Sequence, residues 1–325
     1  MRAIFFGTPA FAVPSLDALT ASADVVGVVC QPDRPVGRGL TLTPPPVKAR
    51  AQELGLPVLQ PTKLRTGEFA AWVRAQGADL ALVVAYGRIL PKDVLSSTRL
   101  GFVNVHASLL PRYRGAAPIT WAVVNGDAET GITLMLLDEG MDTGDMLSTS
   151  RTPIGPDETA GELSDRLALL GAEIVRAQLS PFVRGELPRV PQRSDQATLA
   201  PMLEKKDGRV DWSAAGLAVH NRIRGMSPWP GAFTQLETKT VKLLESRFVG
   251  LTRSEPVTPG TVLVADKSRV LVASGPEGHD AVELVRVQLE GRKPVTASDW
   301  VKGRGVHEGD VLGASASPAH PRDLS

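Results

Sequence analysis

The sequence predicts an α/β fold in two parts: a mostly parallel, Rossmann-like sheet covered by helices, and then a small β-barrel of the oligonucleotide-binding (OB) type. Over the first 180 residues, short and continuously apolar runs alternate with amphipathic segments. Continuously apolar strands are typical of parallel sheets, because helices cover both faces of such sheets. After residue 211, short runs of alternating polarity replace this pattern, which predicts the small barrel.

Five apolar runs are predicted strands of the first part, and four amphipathic segments between them are predicted helices. The strands are residues 3–6, 25–30, 80–85, 101–105 and 132–137, and the helices are residues 11–20, 47–54, 68–76 and 116–125. Sheets of this kind bind ligands beyond the carboxyl ends of their strands, so a functional site is expected there.

The amino-terminal segment is predicted to be the first strand and helix, although Arg2 followed by an apolar stretch superficially matches a signal peptide. That stretch is interrupted by residues that the apolar helix of a signal peptide should not contain: Gly7, Pro9, Pro14 and Asp17. We therefore expect the fold to begin at residue 2 and the protein to be cytoplasmic.

A longer helix is predicted over residues 158–179, and Pro181 is expected to end it. Its apolar residues recur at helical spacing and form one stripe: Leu163, Leu167, Leu170, Ile174 and Val175. Prolines and weak periodicity in residues 181–207 predict a linker. The predicted organisation is thus a first domain, a linker, a barrel domain and a flexible tail, over residues 1–180, 181–207, 208–312 and 313–325.

Within the predicted barrel, residues 261–265 and 269–274 flank a polar turn at residues 266–268, as the strands of a hairpin do. A further strand alternates apolar with polar residues, its apolar side being Val285, Val287 and Leu289. Several such strands in about a hundred residues indicate a small barrel.

Composition excludes several classes of protein. With 36 Lys and Arg against 35 Asp and Glu, the net charge of +1 excludes binding to polyanions by bulk charge, so any contact with nucleic acid needs a local patch. The single cysteine, Cys30, excludes a disulfide framework and a multi-cysteine zinc site, and its apolar surroundings in the sequence indicate core packing. The chain has no uninterrupted run of about 18 apolar residues, so we expect no membrane span.

The most informative segment is residues 104–115, which begins with Asn104 and His106 at the end of a predicted strand. Because these two residues are two positions apart on a strand, their side chains point to the same side of the sheet. An amide can donate to a developing oxyanion while an imidazole moves a proton, so the pair suits an acyl transfer.

An acidic, glycine-containing loop at residues 137–145 follows the next predicted strand. A carboxylate from this loop could reach the imidazole, fix its tautomer and stabilise its charged form. The pattern leaves four candidates open: Asp138, Glu139, Asp142 and Asp145. The spacing does not match a calcium-binding EF-hand, and we expect no metal site.

Motifs of competing enzyme classes are missing from the sequence. Residues 7–10 lack the G-x-G-x-x-G pattern of a dinucleotide site, and the chain contains no Walker A sequence. A G-x-S-x-G nucleophile elbow is also absent, which argues against a serine hydrolase. The residues themselves therefore indicate a cytoplasmic α/β enzyme with proton-assisted, acyl-type chemistry and leave the substrate open.

Residues 104–115 resemble the signature of the folate-dependent formyltransferases, and residues 142–145 resemble its partner motif. The positions that carry this resemblance are Asn104, His106, Ser108, Leu109, Leu110, Pro111, Tyr113, Arg114, Gly115, Asp142, Thr143, Gly144 and Asp145. Three further blocks, residues 6–9, 31–39 and 224–232, are similar to the branch of the family that acts on aminoacylated tRNA. The resemblance extends from residue 2 to about residue 312.

The resemblance implies transfer of a formyl group from 10-formyltetrahydrofolate, as co-substrate, to the α-amine of methionine on initiator tRNA. It implies three catalytic residues, Asn104, His106 and Asp142. It further implies folate contacts from two segments. The segment that follows His106 would contribute Ser108, Leu109, Leu110 and Pro111, and the loop after the predicted strand 80–85 would contribute Tyr86, Arg88 and Leu90.

For tRNA, the resemblance implies contacts from Arg38 in the loop 33–46 and from Lys205 and Lys206. This chain has Leu-Thr-Leu at residues 40–42, where many relatives carry lysines. Residues 205–269 carry a net charge of +5, which is consistent with a phosphate-contacting face. The resemblance also implies a monomer.

Three alternatives remain open at the level of sequence. The acceptor could be a nucleotide amino-sugar or glycinamide ribonucleotide, although an enzyme for the ribonucleotide would not need residues 208–312. Water could be the acceptor, which would make the enzyme a hydrolase of formyl-folate. The chain could also be a tRNA-binding relative without catalysis, but the presence of Asn104, His106 and Asp142 together argues against that function.

Overall fold

The computed structural model describes residues 1–37, 39–250 and 254–313. The chain forms two compact units. Unit 1 comprises Met1–Ile119, Glu129–Pro153 and Glu162–Met202, and unit 2 comprises Thr120–Ala128, Ile154–Gly161 and the described residues from Leu203 onward. Two short segments that the sequence analysis included in the first domain therefore lie in unit 2.

The strands of unit 1 are β1 (Arg2–Gly7), β2 (Asp24–Val29), β3 (Arg34–Val36), β4 (Thr41–Thr43), β5 (Val58–Leu59), β6 (Leu80–Val84), β7 (Phe102–His106), β8 (Arg114–Gly115), β9 (Glu129–Leu136), β10 (Met146–Pro153) and β11 (Leu199–Ala200). Seven of them form the main sheet, in the order β10-β9-β7-β6-β1-β2-β5. Five strands, from β7 to β5 in the sheet order, are parallel, and β9 and β10 are antiparallel to their neighbours.

Helices alternate with these strands. They are α1 (Val13–Thr20), α2 (Pro46–Glu53), α3 (Glu68–Ala75), α4 (Lys92–Leu95), α5 (Pro118–Val124) and α6 (Ala160–Val183), with short 3-10 turns at Ala10–Ala12 and Ser194–Gln196. The five predicted strands and the predicted helices are confirmed with shifts of a few residues at their ends. The predicted α/β class of the first part is therefore confirmed.

An aromatic cluster lies in the core of unit 1. The ring of Phe6 on β1 is 5.2 Å from that of Phe102, 5.5 Å from that of Tyr86 and 6.2 Å from that of Phe69, measured between ring centroids. Edge and tilted contacts at these distances are favourable, because the positive edge of one ring approaches the negative face of another. The cluster connects β1, β7 and the loop after β6 to α3 and so stabilises the frame that carries the site.

The prediction that Pro181 ends the long helix is wrong, because α6 continues to Val183. Pro181 lies in the last turn, where a missing N–H removes only one bond of the helix. The chain leaves the helix at Gly185, two residues after Val183, where a φ of 76° is easily adopted only by glycine. The N–H groups of Gly185 and Glu186 donate to the carbonyls of Phe182 and Pro181, which is a Schellman cap.

The segment predicted as a linker has defined structure. Residues 199–200 form β11, which pairs in parallel with β8. The Tyr113 N–H donates to the Thr198 hydroxyl, and the Arg114 N–H donates to the Thr198 carbonyl. Residues 184–202 thus belong to unit 1 and pack against the informative segment, whereas Lys205–Gly208 form a short 3-10 helix of unit 2.

Unit 2 contains an antiparallel sheet in the order β12-β13-β16-β15-β14, with β17 paired to β16. Its elements are α7 (Gly216–Gly225), β12 (Ala232–Leu236), β13 (Lys239–Phe248), β14 (Val262–Ala265), β15 (Val270–Ser274), β16 (Asp280–Leu289), β17 (Val295–Thr296) and α8 (Ala297–Lys302). Leu236 on one edge pairs with Leu312, and Thr261 beside the other edge pairs with Val311. These bridges close the sheet, so the predicted small barrel and its hairpin at 261–274 are confirmed.

The segment 154–161 belongs to unit 2 because two buried side chains of α7 hold it. Arg224 donates to the carbonyls of Gly155 and Glu158 at 3.1 and 2.9 Å. His220 donates from Nε2 to the carbonyl of Pro156 at 3.0 Å, so its Nδ1 accepts from the Ser246 hydroxyl. Burial lowers the pKa of His220, which keeps this ring neutral in its structural role.

A pair of leucines on α6 tests the packing of that helix. Leu167 is fully buried and Leu169 is 59% exposed. We expect Leu167→Ala to lower the free energy of unfolding by about 2–5 kcal/mol, because it removes buried apolar surface and leaves a cavity. The matched control Leu169→Ala should change it by no more than about 0.5 kcal/mol. Urea denaturation followed by circular dichroism measures both, and equal effects would contradict the packing described for α6.

The thiol of Cys30 provides a second test of the core. Cys30 is fully buried, as predicted, and burial raises the pKa of its thiol to about 11. At pH 8 only about one thiol in a thousand is then the reactive thiolate, against about a quarter for an unfolded cysteine. We expect the native protein to react slowly with an aromatic disulfide reagent and the protein in guanidinium to release one equivalent quickly. Equal rates in both states would show that Cys30 is accessible.

Candidate active site

Asn104 and His106 lie at the carboxyl end of β7, on the same face of the sheet. Asn104 is 9% exposed and His106 is 6% exposed, so both are held by the surrounding core. Among the residues that the structure describes, the side-chain amide of Asn104 has no hydrogen-bond partner. An amide that is held in place but unpaired can donate to an oxygen of a bound molecule.

The His106 ring is oriented by a backbone carbonyl. Its Nε2 lies 2.9 Å from the carbonyl oxygen of Tyr113, and since a carbonyl only accepts, Nε2 carries the hydrogen. In the neutral ring Nδ1 is therefore unprotonated, and it lies 3.7 Å from Oδ2 of Asp142. From the sequence, a carboxylate of the acidic loop was predicted to fix the tautomer. The Tyr113 carbonyl fixes it instead, which leaves Asp142 beside the nitrogen that can gain a proton.

Asp142 is the acidic residue of its loop that reaches the imidazole. Its Oδ2 also accepts from the Gly115 N–H at 2.8 Å. Its φ of 55° is a left-handed conformation that costs a residue with a Cβ about 1–2 kcal/mol, so its surroundings have to maintain it. Of the other candidates, Asp138 accepts from Gly140 and Thr143 within the loop, and Glu139 pairs with Lys92.

The path of this loop depends on the antiparallel direction of β9. Leu136, at the end of β9, pairs with Val103 near the start of β7, whereas His106 pairs with Thr133. The loop thus leaves the sheet about three residues, or about 10 Å, before the level of His106. It has to run back along β7 to bring Asp142 to the imidazole.

Residues 108–111 form a turn held by buried hydrogen bonds. The Ser108 hydroxyl donates to the carbonyl of Arg112 at 2.6 Å. The hydroxyl of Thr133, which is fully buried on β9, donates to the Ser108 carbonyl at 2.7 Å and accepts from the Leu110 N–H at 3.2 Å. Thr133 was not among the residues predicted for the site, and the one signal for it was a polar residue inside the apolar run 132–137.

The side chains of the loop after β6 divide between the core and the surface. Tyr86 and Leu90 are both buried in the aromatic core, and burial raises the pKa of Tyr86 to about 12. Arg88 donates to the carbonyls of Pro61 and Thr62. Arg88 and the neighbouring Ile89 are both exposed, and Ile89, at 76%, is the large apolar side chain of this loop that reaches the surface.

Of the residues expected to contact tRNA, Arg38 lies outside the described part of the chain. Lys205 and Lys206 are exposed in the 3-10 helix of unit 2, and Nζ of Lys206 pairs with Glu204 at 2.9 Å. Within the loop 33–46, β3 and β4 pair as antiparallel strands. Leu40 and Leu42 there are 73% and 64% exposed.

Within residues 1–37, 39–250 and 254–313, no group of three or more His, Cys, Asp or Glu is placed to hold a metal ion. In the same part of the chain, no helix has the length and apolarity needed to cross a membrane.

The fold and this site define a formyl transferase. Residues 1–179 match the family model of the formyl transferases, and residues 202–305 match the model of the formyl transferase C-terminal domain. The chain therefore belongs to the formyl transferase family. Within that family it is similar to methionyl-tRNA formyltransferases. The one from Sorangium cellulosum is 58% identical, covering 96% of this chain and all of that protein, and the one from Geobacter sulfurreducens is 46% identical, covering 98% and 99%.

Solved structures share the fold at low sequence identity. A sugar 3N-formyl transferase, WlaRD, solved with dTDP and 5-N-formyl-THF, aligns with a TM-score of 0.65 and 15% identity over 90% of this chain and 99% of that one. HypX from Aquifex aeolicus, solved with tetrahydrofolic acid, aligns with a TM-score of 0.59 and 19% identity over 92% of this chain. This chain spans about half the length of HypX, 46%.

The hydroxyl of Thr133 provides a test of the turn at 108–111. Thr133→Val keeps the shape of the side chain but leaves the Ser108 carbonyl and the Leu110 N–H without a partner in a buried place. We expect it to lower the free energy of unfolding by about 1–3 kcal/mol. Thr133→Ser keeps the hydroxyl and is the control. An unfolding midpoint in urea that is the same for Val and for the wild type would refute this role.

Proposed function

We propose that this chain transfers the formyl group of 10-formyltetrahydrofolate to the α-amine of methionine on initiator tRNA, with Asn104, His106 and Asp142 as its catalytic residues. The observation that carries the proposal is the open Nδ1 of His106 beside the Asp142 carboxylate, next to an unpaired Asn104 amide. Sequence identity of 58% to a methionyl-tRNA formyltransferase over 96% of this chain supports the choice of acceptor.

The donor supplies a formyl group bonded to N10 of the folate. The residues proposed to hold it are Ser108, Leu109, Leu110 and Pro111, in the turn that Thr133 anchors, together with the loop after β6. Because Tyr86 and Leu90 are core residues, we assign the contacts of that loop to its backbone, to Ile89 and to Arg88. The unpaired Asn104 amide fits a carbonyl oxygen as ligand, which supports a formyl group at this point.

The proposed chemistry is direct transfer without a covalent enzyme intermediate. As the neutral amine attacks the formyl carbon, negative charge develops on the formyl oxygen. Asn104 can donate to that oxygen from a fixed position, and fixed donors stabilise a transition state because they need no reorganisation. His106, once protonated at Nδ1, is the second suitable donor.

Proton movement is assigned to the His106 and Asp142 pair. The amine loses a proton as the new C–N bond forms, and N10 gains one as its bond to the formyl carbon breaks. Nδ1 can accept and return this proton, since Nε2 is already committed to the Tyr113 carbonyl. Asp142 stabilises the imidazolium that forms in between.

For tRNA, we propose contacts from Lys205, Lys206 and Arg38. A cleft of about 330 Å³ on unit 2 supports a nucleic-acid surface there, because Lys206, Arg209 and Phe233 line it. Basic side chains beside an aromatic ring are typical of such surfaces, which contact phosphate and stack on bases. We further infer that the chain acts as a monomer in the cytoplasm, where charged initiator tRNA is available.

The proposed function predicts which acceptor takes the formyl group. We expect product from 10-formyltetrahydrofolate with methionine-charged initiator tRNA, and none with uncharged tRNA or a nucleotide amino-sugar offered in parallel. His106→Ala should reduce turnover by about 10²–10⁴-fold while tRNA still binds, because it removes the proton acceptor and not the binding surface.

His307→Ala is the matched control for this experiment, since the His307 side chain is 64% exposed and distant in sequence. If the folate were turned over and the product were formylated amino-sugar, the catalytic residues would stand but the assignment of charged tRNA as the acceptor would be wrong. Release of formate without any acceptor would indicate a hydrolase. Full activity of His106→Ala would remove His106 from the proposed trio.

A further inference from the structure

Gln192 connects two parts of the candidate site, although it lies in the segment predicted as a linker. Its Nε2 donates to the carbonyl oxygens of Asp142 and Gly144, both at 2.8 Å. Its Oε1 accepts from Nε and Nη2 of Arg114, at 3.0 and 2.8 Å. The orientation of the amide is therefore determined, because the opposite one would set its oxygen against two carbonyls and its NH₂ against a guanidinium.

These bonds complete a ring around Asp142. Arg114 precedes Gly115, whose N–H donates to the Asp142 carboxylate at 2.8 Å. The ring thus passes from the carboxylate through Gly115 and Arg114 to Gln192, and from there back to the Asp142 carbonyl. The backbone and the side chain of Asp142 are held from the same neighbouring segment.

Two observations indicate that this ring is needed. Asp142 has a φ of 55°, so an unsupported loop would relax away from its conformation. Arg114 is 9% exposed, and its guanidinium has no acidic partner within the described residues, only the neutral Oε1 of Gln192. A buried guanidinium is normally paired with a carboxylate, but a carboxylate at position 192 would lack the two donors that Gln192 supplies to the loop.

We propose that Gln192 is a positioning residue for formyl transfer, which holds Asp142 beside the His106 imidazole. The inference rests on the proposed function of that pair. Gln192 touches neither the imidazole nor the carboxylate, and it acts through the backbone of the loop.

Gln192→Glu is the most specific variant. The carboxylate still accepts from Arg114 and forms an ion pair with it, which preserves folding, but it cannot donate to the Asp142 and Gly144 carbonyls. We expect kcat to fall about 10–100-fold, since small displacements of a catalytic group have effects of this size. The KM for charged tRNA should stay within about twofold. Gln196→Glu, the same change at an exposed position on the same segment, is the control and should retain wild-type kcat.

A double-mutant cycle separates positioning from a general structural effect. In an Asp142→Asn background, Gln192→Glu should lower kcat by less than about twofold, because residues that act as one unit are not additive. Full additivity of the two changes would overturn the inference. Wild-type kcat in Gln192→Glu alone would do the same.

Amide hydrogen exchange tests the ring without any assay of activity. The peptide that contains the Gly115 N–H should exchange faster in Gln192→Glu than in Gln196→Glu, because that N–H is bonded to the displaced carboxylate. Unchanged exchange would overturn the inference even in an active enzyme. If the wild type transferred no formyl group to charged tRNA while exchange rose as expected, the proposed function would fail and the positioning of Asp142 would stand.

Discussion

The hydrogen bond from Nε2 of His106 to the Tyr113 carbonyl, 2.9 Å long, is the interaction on which the rest of the site depends. It determines which ring nitrogen is protonated, and hence that Nδ1 faces Asp142. The direction of that carbonyl depends in turn on Tyr113, whose φ of 62° is left-handed and whose N–H is held by Thr198. A backbone carbonyl is a constant acceptor, so the tautomer does not depend on the charge of a neighbouring side chain.

Two segments distant in sequence support this arrangement. Residues 192–200 pack against the turn at 113–115 through β8 and β11, and the loop of Asp142 returns along β7 from an antiparallel strand. The hydrogen bonds of these segments maintain Tyr113 and Asp142 in left-handed backbone conformations, which are unfavourable for a residue with a Cβ. The strain at Asp142 and Tyr113 is thus compensated by the frame, and it is concentrated where the chemistry is proposed.

The strands of the main sheet could be predicted from the sequence because their continuous apolar runs are a strong signal. Continuous apolar runs such as those that became β1, β6 and β7 have few alternatives to a strand buried on both faces. Pro181 was misjudged because a proline in a last turn removes only one hydrogen bond, and the capping by Gly185 could be recognised only from its φ. Tyr86, which the resemblance implies as a folate contact, has its ring packed against Phe6 in the core, and that contact could not be read from the sequence.

The sequence by itself determined the two-part architecture, the buried position of Cys30, and the juxtaposition of Asn104 and His106, because periodicity and strand spacing are local properties. The residue pattern left four acidic residues as partners of the imidazole, and only the resemblance to the formyltransferases singled out Asp142. The structure brings Asp142 to His106, and tertiary structure alone decided that the Tyr113 carbonyl sets the tautomer and that Gln192 bonds to the loop of Asp142. These features depend on the antiparallel direction of β9 and on the segment around Gln192, which lies 50 residues after Asp142 in the sequence. Hydrogen bonds between residues so far apart leave no local pattern in the sequence.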